Sequence, residues 1–209
     1  MPLQRWDAPE IDPDVKSVTA LVLTCIDPRF TFFLNWFLTH EEDVQDSYDL
    51  FALAGSSMCA LSTTTYPSLL GTATLPDTTP WLTTLDNHVA LATALHNIQE
   101  IWIFDHQGCG AYKGYINDDS ISKHIEGMGA MVEHIKATYP KMVFKTFFMD
   151  LKGNIDLYSS TGGLDYERFE LSSYRPQLLP WILFYVTLFL WLASMLAIYK
   201  AFFPGFASS

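Results

Sequence analysis

Short apolar runs alternate along the first 150 residues with longer segments in which apolar residues recur at helical spacing. The runs are rich in β-branched and aromatic residues, which is typical of buried strands. They predict strands over residues 18–25, 48–55, 100–105 and 142–150, and the longer segments predict helices over 28–40, 83–99 and 120–139. Because strands alternate with helices, the pattern predicts an α/β fold, with a mostly parallel central sheet of about four strands flanked by helices.

Two segments fit this alternation less well. Residues 56–80 are rich in Ser, Thr and Pro, and they predict an irregular insertion after the second strand. The third predicted helix contains Gly127 and Gly129, and a glycine inside a helix costs about 1 kcal/mol relative to alanine. That helix is therefore weakened by its own sequence.

The C-terminal part of the chain has a different pattern. Residues 178–199, LLPWILFYVTLFLWLASMLAIY, are 22 residues without a charged side chain. About 20 apolar residues cross a bilayer as a helix, and Trp181 and Tyr199 near the ends of the run are residue types that favour the membrane interface. The run predicts one C-terminal transmembrane helix, with a helix buried in a protein core as the alternative.

These boundaries predict a folded domain over residues 1–151, a polar linker over 152–177, the transmembrane helix over 178–199 and a short tail over 200–209. The chain is then a single-pass membrane protein with a C-terminal anchor in the lipid bilayer. Basic residues beside the run are too few for the positive-inside rule to set its orientation. A mitochondrial membrane and other intracellular membranes both remain open.

The formal net charge of −11 narrows the choice of partners. Nucleic-acid binding needs a basic face that neutralises phosphates, and attachment to anionic lipid needs a polybasic segment. The charge argues against both. The three cysteines, Cys25, Cys59 and Cys109, are too few for a disulfide framework.

Candidate chemistry concentrates in two short motifs, each directly after a predicted strand. Cys25, Asp27 and Arg29 follow the first strand, and His106 and Cys109 lie at the end of the third. In open parallel sheets, sites form outside the carboxyl ends of the strands. If these two strands are neighbours, the two motifs meet at one edge of the sheet.

The residue types in these motifs suit zinc. Two thiolates and an imidazole are good zinc ligands, and three protein ligands leave a fourth position open. Cys25, His106 and Cys109 therefore predict a site for one Zn²⁺ per chain. Water, Asp27 and Cys59 are the candidates for the fourth position.

Asp27 and Arg29 are the predicted catalytic partners of this site. Asp27 is placed to accept a hydrogen bond from a bound water, and Arg29 is placed to hold Asp27 through a bidentate pair. Each motif alone is a weak signal, since a buried cysteine is often only a small apolar residue. The conjunction of both motifs at strand ends is a much stronger one.

The remaining polar aromatic residues receive simpler interpretations. His88 and His96 lie on the second predicted helix, and His124 and His134 lie on the third. All four are predicted to be surface or packing residues rather than ligands, although any of them could shuttle protons. Tyr112 follows the second motif and is a candidate for lining a pocket.

Cys-x-Asp-x-Arg followed by His-x-x-Cys-Gly resembles the signature of the β-class carbonic anhydrases. The resemblance covers roughly residues 16–150, and Ala54-Gly55 is similar to the Ala-Gly loop of that family. It implies a zinc-dependent carbonate dehydratase that interconverts CO2 and bicarbonate through a zinc-bound hydroxide. It also implies a homodimer or a multiple of one. In that family the aspartate can take the fourth zinc position in a resting state, and Asp27 is the matching residue.

The chain departs from the family at several positions. Leu53 and Ser56 stand where polar residues flank the Ala-Gly pair, and Asp105 precedes His106 where a small residue is common. A membrane anchor is also unusual there. These departures leave the three metal ligands unchanged. Metal binding and the turnover of CO2 are therefore separate predictions.

Three functions are therefore open. The first is a membrane-tethered carbonic anhydrase that acts on CO2 and bicarbonate. The second is a catalytically weak or inactive zinc-stabilised subunit of a larger membrane assembly. The third keeps the zinc chemistry and changes the substrate to carbon disulfide or a related small heterocumulene.

Overall fold

A computed structural model describes residues 18–42, 44, 47–61, 77–159 and 167–169 of the chain. The strands in this part are β1 (Ala20–Thr24), β2 (Tyr48–Ala52), β3 (Glu100–His106), β4 (Val143–Met149), β5 (Ile155–Ser159) and β6 (Glu167–Phe169). The helices are α1 (Thr31–His40), α2 (Thr79–His96) and α3 (Ile121–Thr138). A 3₁₀ turn (Ser56–Ala60) follows β2, and a π-helical turn (Tyr112–Ile116) precedes α3.

The described strands form one six-stranded sheet in the order β2-β1-β3-β4-β5-β6. The pairs β1–β2, β1–β3 and β3–β4 are parallel, whereas β5 pairs antiparallel with β4 and with β6. The predicted α/β fold with a mostly parallel sheet flanked by helices is thus confirmed. Because Thr24 of β1 lies opposite Phe104 of β3, the residues that follow these two strands meet at the same end of the sheet.

The two faces of the sheet pack against different helices. Side chains alternate along a strand, so Trp102 and Phe104 of β3 pack on the α1 side, in one core with Phe37. Ile101 and Ile103 point the other way, into a core that α2 and α3 cover. Burial of apolar surface at about 25 cal/mol per Å² is the main force that holds these layers together.

The sheet is larger than the sequence predicts. Strands β5 and β6 lie within residues 152–177, which the sequence predicts as a linker. The chain reverses there because Asp150 Oδ1 accepts hydrogen bonds from the backbone N–H groups of Lys152 (2.7 Å) and Asn154 (2.9 Å), and Gly153 has φ of 87°. β5 then pairs with the free edge of β4, which satisfies backbone groups that an edge strand leaves open.

The predicted insertion and two helix boundaries also differ in the structure. Ser56–Ala60 is a buried 3₁₀ turn, and α2 already begins at Thr79, with Pro80 in its first turn where a missing N–H costs little. α1 begins at Thr31 instead of residue 28, because the N–H of Phe30 donates to the carbonyl of Asp27 and closes a turn first.

The predicted transmembrane segment and the tail, residues 178–209, lie outside the described residues, as do residues 62–76 of the predicted insertion. No helix in the described part of the chain is both long enough and apolar enough to span a bilayer.

Candidate metal centre

The two motifs predicted from the sequence meet where β1 and β3 end side by side. The Sγ atoms of Cys25 and Cys109 and a ring nitrogen of His106 all lie within 4.8 Å of one another. That span is comparable to twice a zinc–thiolate bond of about 2.3 Å. The structure therefore brings together the three side chains that the sequence selects as metal ligands.

His106 presents one particular ring nitrogen to this cluster. Its Nδ1 lies 3.0 Å from the carbonyl oxygen of Gln107 and donates to it. Its Nε2 is buried and has no hydrogen-bond partner among the described residues. A buried polar atom without a partner is costly, whereas metal-binding histidines usually donate the other N–H to a carbonyl or carboxylate in this way. The nitrogen that faces the thiols thus has the form of a metal ligand.

The two thiols interact with each other. The hydrogen bond from Cys109 is the main cause that lowers the pKa of Cys25 well below that of a free thiol, and contacts with His106 and with the Gly55 N–H add to it. The same hydrogen bond, together with burial, raises the pKa of Cys109. The two shifts have opposite directions because the same sulfur–sulfur contact stabilises the thiolate of Cys25 and disfavours that of Cys109. Two sulfurs and one imidazole nitrogen are a donor set that fits zinc.

Gly55 explains how backbone comes within reach of Cys25. Its N–H donates to Cys25 Sγ at 3.3 Å, and its φ of 75° lies in the left-handed region that glycine tolerates. A Cβ at this position would lie 2.9 Å from Cβ of Met58. The turn therefore requires a glycine at position 55.

Cys59 lies outside the cluster. Its Sγ donates to the carbonyl of Ser56, within its own 3₁₀ turn, at 3.8 Å. Burial raises the pKa of this thiol to about 12. Cys59 behaves as a buried apolar residue, and it is not one of the three side chains that could share a metal ion.

Asp27 and Arg29 lie at the side of the cluster that faces solvent, called the open side below, where the Arg29 side chain is 51% exposed. Arg29 donates from Nε and Nη2 to both oxygens of Asp27 at 2.6–3.1 Å, and its own backbone N–H donates to Oδ1 at 3.0 Å. These hydrogen bonds from Arg29 hold the pKa of Asp27 at about 2. Asp27 Oδ2 lies 4.0 Å from His106 Nε2, so the ionised carboxylate borders the cluster.

A second polar cluster, behind the ligands, is absent from the sequence-based prediction. His124 is fully buried, with Nδ1 2.9 Å from Asp105 and Nε2 3.1 Å from Asp119. Ser57 and Tyr112 also donate to Asp105, at 2.7 and 2.9 Å. Tyr112 is therefore part of this cluster and does not line an open pocket. A signal for His124 existed, because it falls on the stripe of α3 that is buried together with Met128, Met131 and Ile135.

The remaining histidines named by the sequence stay away from the cluster. His96 pairs with Asp49 and His134 pairs with Asp86, both at 2.8 Å on the surface. His88 contacts the carbonyl of Thr84 on its own helix.

Uncharacterized bacterial proteins are similar to this chain in sequence. No protein-family profile matches it. An uncharacterized protein of Rickettsia bellii (strain RML369-C) is 28% identical over 149 residues, which are 68% of this chain and 82% of that protein. An uncharacterized protein of Rickettsia conorii is 26% identical over 149 residues, which are 68% and 73% of the two chains.

Solved structures similar to this one include the carbonic anhydrase from Glaciozyma antarctica, with a TM-score of 0.37 and 13% identity, covering 63% of this chain and 76% of that one. The β-carbonic anhydrase CcaA has a TM-score of 0.36 and 14% identity, covering 72% and 84%. The assignment of a metal centre to this chain rests on the geometry of its own residues.

Proposed function

We propose that this chain is a zinc-dependent carbonic anhydrase that interconverts CO2 and bicarbonate while tethered to a membrane. The observation that carries the proposal is the buried Nε2 of His106, which lies beside the two thiols, has no hydrogen-bond partner among the described residues, and is 4.0 Å from the Asp27 carboxylate. Three protein ligands would hold the ion and leave one position open, as in catalytic zinc sites. When bound, zinc supplies Lewis acidity and lowers the pKa of water to about 7.

Asp27 is the residue that orients the water nucleophile. Because Arg29 keeps the pKa of Asp27 at about 2, the carboxylate accepts hydrogen bonds at neutral pH and does not serve as a proton donor. A carboxylate at this place can accept a hydrogen bond from the attacking water and leave a lone pair of its oxygen free for CO2. The proton released on hydration passes to solvent buffer, because Asp27 with so low a pKa does not retain it. Arg29 fixes the rotamer of Asp27 through its bidentate pair.

The surroundings suit a small apolar substrate with an anionic product. The ring of Phe30 lies 4.3 Å from the ring of His106, so an apolar side chain borders the ligand cluster on the α1 side. The side chain of Arg29 is 51% exposed at the open side, where a cation attracts bicarbonate. Arg29 Nη2 also donates to the Gly108 carbonyl at 2.9 Å, which connects the Asp27–Arg29 pair to the loop that carries Cys109.

The test uses the full chain, purified in detergent. We expect one zinc per chain by mass spectrometry of the metal and CO2 hydration by stopped-flow indicator assay. Cys109→Ala should lose both, because it removes a ligand. Cys59→Ala is the matched control and should keep both, because its sulfur lies outside the ligand cluster. Zinc-loaded wild-type protein without hydration would overturn the proposal.

That outcome would favour the zinc-stabilised subunit instead. Leu53 and Ser56, which replace the polar residues expected beside Ala54-Gly55, are the observation behind this alternative. Stoichiometric recovery of the inactive, zinc-loaded chain with other membrane proteins would support it. Carbon disulfide in the same assay tests the change of substrate.

The membrane tether is a separate part of the proposal, and residues 178–199 carry it. An arginine near the centre of a transmembrane helix costs about 2.5–3.5 kcal/mol for insertion. The double variant Leu188→Arg, Leu190→Arg should therefore move from the alkali-washed membrane pellet to the supernatant. A wild-type chain that is itself released by the alkaline wash would contradict the tether.

A further inference from the structure

We propose that a buried relay of Asp105, His124 and Asp119 holds both cysteine ligands in position before the metal arrives, with His124 as its central positioning residue. The inference rests on the proposed metal centre. It concerns how the site is formed, and the experiment below can fail without affecting the proposed activity.

One end of the relay holds the loop that carries Cys109. Asp119 Oδ1 accepts the backbone N–H of Cys109 at 2.8 Å, and Oδ2 accepts the N–H of Gly108 at 3.0 Å. A carboxylate that binds two successive N–H groups fixes the backbone of the loop. The position of the Cys109 side chain then follows from the position of Asp119.

The other end of the relay is Asp105, which is fully buried. Oδ2 of Asp105 is 2.7 Å from the Ser57 hydroxyl, 2.9 Å from the Tyr112 hydroxyl and 2.9 Å from His124 Nδ1, while Oδ1 accepts the Ser57 N–H at 3.2 Å. Ser57 lies two residues after Gly55, whose N–H donates to Cys25 Sγ. Asp105 therefore anchors the turn that contacts the first thiol.

His124 joins the two ends. Each ring nitrogen of His124 faces a carboxylate oxygen, with Nδ1 2.9 Å from Asp105 Oδ2 and Nε2 3.1 Å from Asp119 Oδ1. The ring therefore links the fully buried Asp105 to Asp119, whose side chain is 13% exposed and also lies 3.6 Å from Lys113 Nζ. The contacts run from Cys25 through Gly55, Ser57 and the relay to the backbone of Cys109, with no metal in the chain of contacts.

The experiment compares two histidines of α3 in the full chain. His124→Gln can donate to only one of the two carboxylates, whereas His134→Gln, the matched control, removes a surface pair with Asp86. For His124→Gln we expect zinc affinity, measured by chelator competition, to fall about 10- to 100-fold. We also expect the thiolate-to-cobalt bands of the Co²⁺-loaded protein to change. His134→Gln should leave affinity and spectrum unchanged.

Asp119→Asn is the second variant, for the case that His124→Gln does not fold. It keeps the shape of the side chain but cannot accept from both N–H groups and from His124 together, and we expect the same loss of affinity. A measurement on the wild type needs no variant: in the metal-free protein, the amides of Gly108 and Cys109 should exchange slowly with deuterium.

Fast exchange of these amides would overturn the relay, as would a folded His124→Gln or Asp119→Asn variant with wild-type zinc affinity and an unchanged cobalt spectrum. If the wild type binds zinc but does not hydrate CO2, and His124→Gln still weakens zinc binding, the proposed activity fails while the relay stands. A wild type with no affinity for zinc overturns both.

Discussion

Two aspartates flank the ligand loops, and their surroundings are opposite. Asp27 lies at the open side, where its partner Arg29 is 51% exposed. Asp105 lies at the closed side, with no exposed side-chain surface, and it is held by Ser57, Tyr112 and His124. The same functional group thus has one solvent-facing partner on one side and several buried partners on the other.

This difference suits the two aspartates to separate roles, one in the proposed reaction and one in the formation of the site. A pair with a solvent-exposed cation gains little from its charge, which suits the water-orienting role proposed for Asp27. A buried, fully bonded carboxylate cannot change partners without a large penalty. We infer that chemistry belongs to the open side and that the closed side sets geometry.

Replacing the buried aspartate should produce the largest loss of stability. In Asp105→Asn the paired charge is gone and His124 stays buried, and breaking such a pair costs about 3–5 kcal/mol. Asp27→Asn should lose less than about 1 kcal/mol, as exposed pairs do. Urea unfolding of the metal-free proteins, followed by tryptophan fluorescence, measures both. Equal losses in the two variants would remove the contrast between the two sides.

The glycines of α3 test how closely the closed side is packed. A Cβ on Gly127 would overlap the Tyr112 hydroxyl and come within 2.9 Å of Ser57 Oγ, whereas a Cβ on Gly129 meets nothing within 4 Å. Gly127→Ala should lose about 1–3 kcal/mol through overpacking. Gly129→Ala should gain up to about 1 kcal/mol from helix propensity. Thermal unfolding should therefore shift in opposite directions, and two shifts of the same sign would contradict the packing.

The sequence predicts the central part of this arrangement well, because strong local patterns determine it. The apolar runs identify β1 to β4, and the chemistry of thiol and imidazole identifies Cys25, His106 and Cys109. Each of these predictions needs only the neighbouring residues and the rule that sites form at strand ends.

What the sequence does not reveal depends on contacts between distant segments. β5 sits in a polar stretch, and only the turn from Asp150 to Asn154 marks it in advance. The partners of His124 lie 19 and 5 residues away, in different elements, so no local pattern identifies the relay. Gly127 lowers the helix propensity of α3, and the reason for a glycine there is visible only in the structure, where a Cβ would overlap the Tyr112 hydroxyl.

Acid should affect the open side only slightly. The pKa of Asp27 is lowered to about 2, so its contribution to stability is complete above its unfolded pKa of about 3.9 and is lost as the pH falls towards 2. Since the Arg29 partner is 51% exposed and solvent screens the interaction, we expect less than about 1 kcal/mol in that window. The unfolding free energies of metal-free wild type and Asp27→Asn should converge between pH 4 and pH 2. A gap that widens on acidification would contradict the pairing with Arg29.

The smallest expected effect is the chemical modification of the buried thiol of Cys59. Burial raises the pKa of Cys59 to about 12, so almost none of it is thiolate at pH 8. In the metal-free protein, iodoacetamide should modify the partly exposed Cys25, whose pKa is lowered, and leave Cys59 unmodified until urea unfolds the chain. Peptide mass spectrometry of Cys59→Ala and wild type assigns the labelled position. Early labelling of Cys59 would show that the closed side is open to reagents.

Asp105 and His106 are consecutive residues of β3, and they face opposite sides of the sheet. A shift of β3 by one residue would exchange the two faces, placing a carboxylate among the thiols and the imidazole against α3. The shift would be costly on the other face, since one imidazole cannot accept the hydrogen bonds that Asp105 accepts from both groups of Ser57 and from Tyr112. Zinc bound at the proposed centre would therefore report that the central strand has folded in the correct register, and metal content would then be a simple assay for misfolded chains.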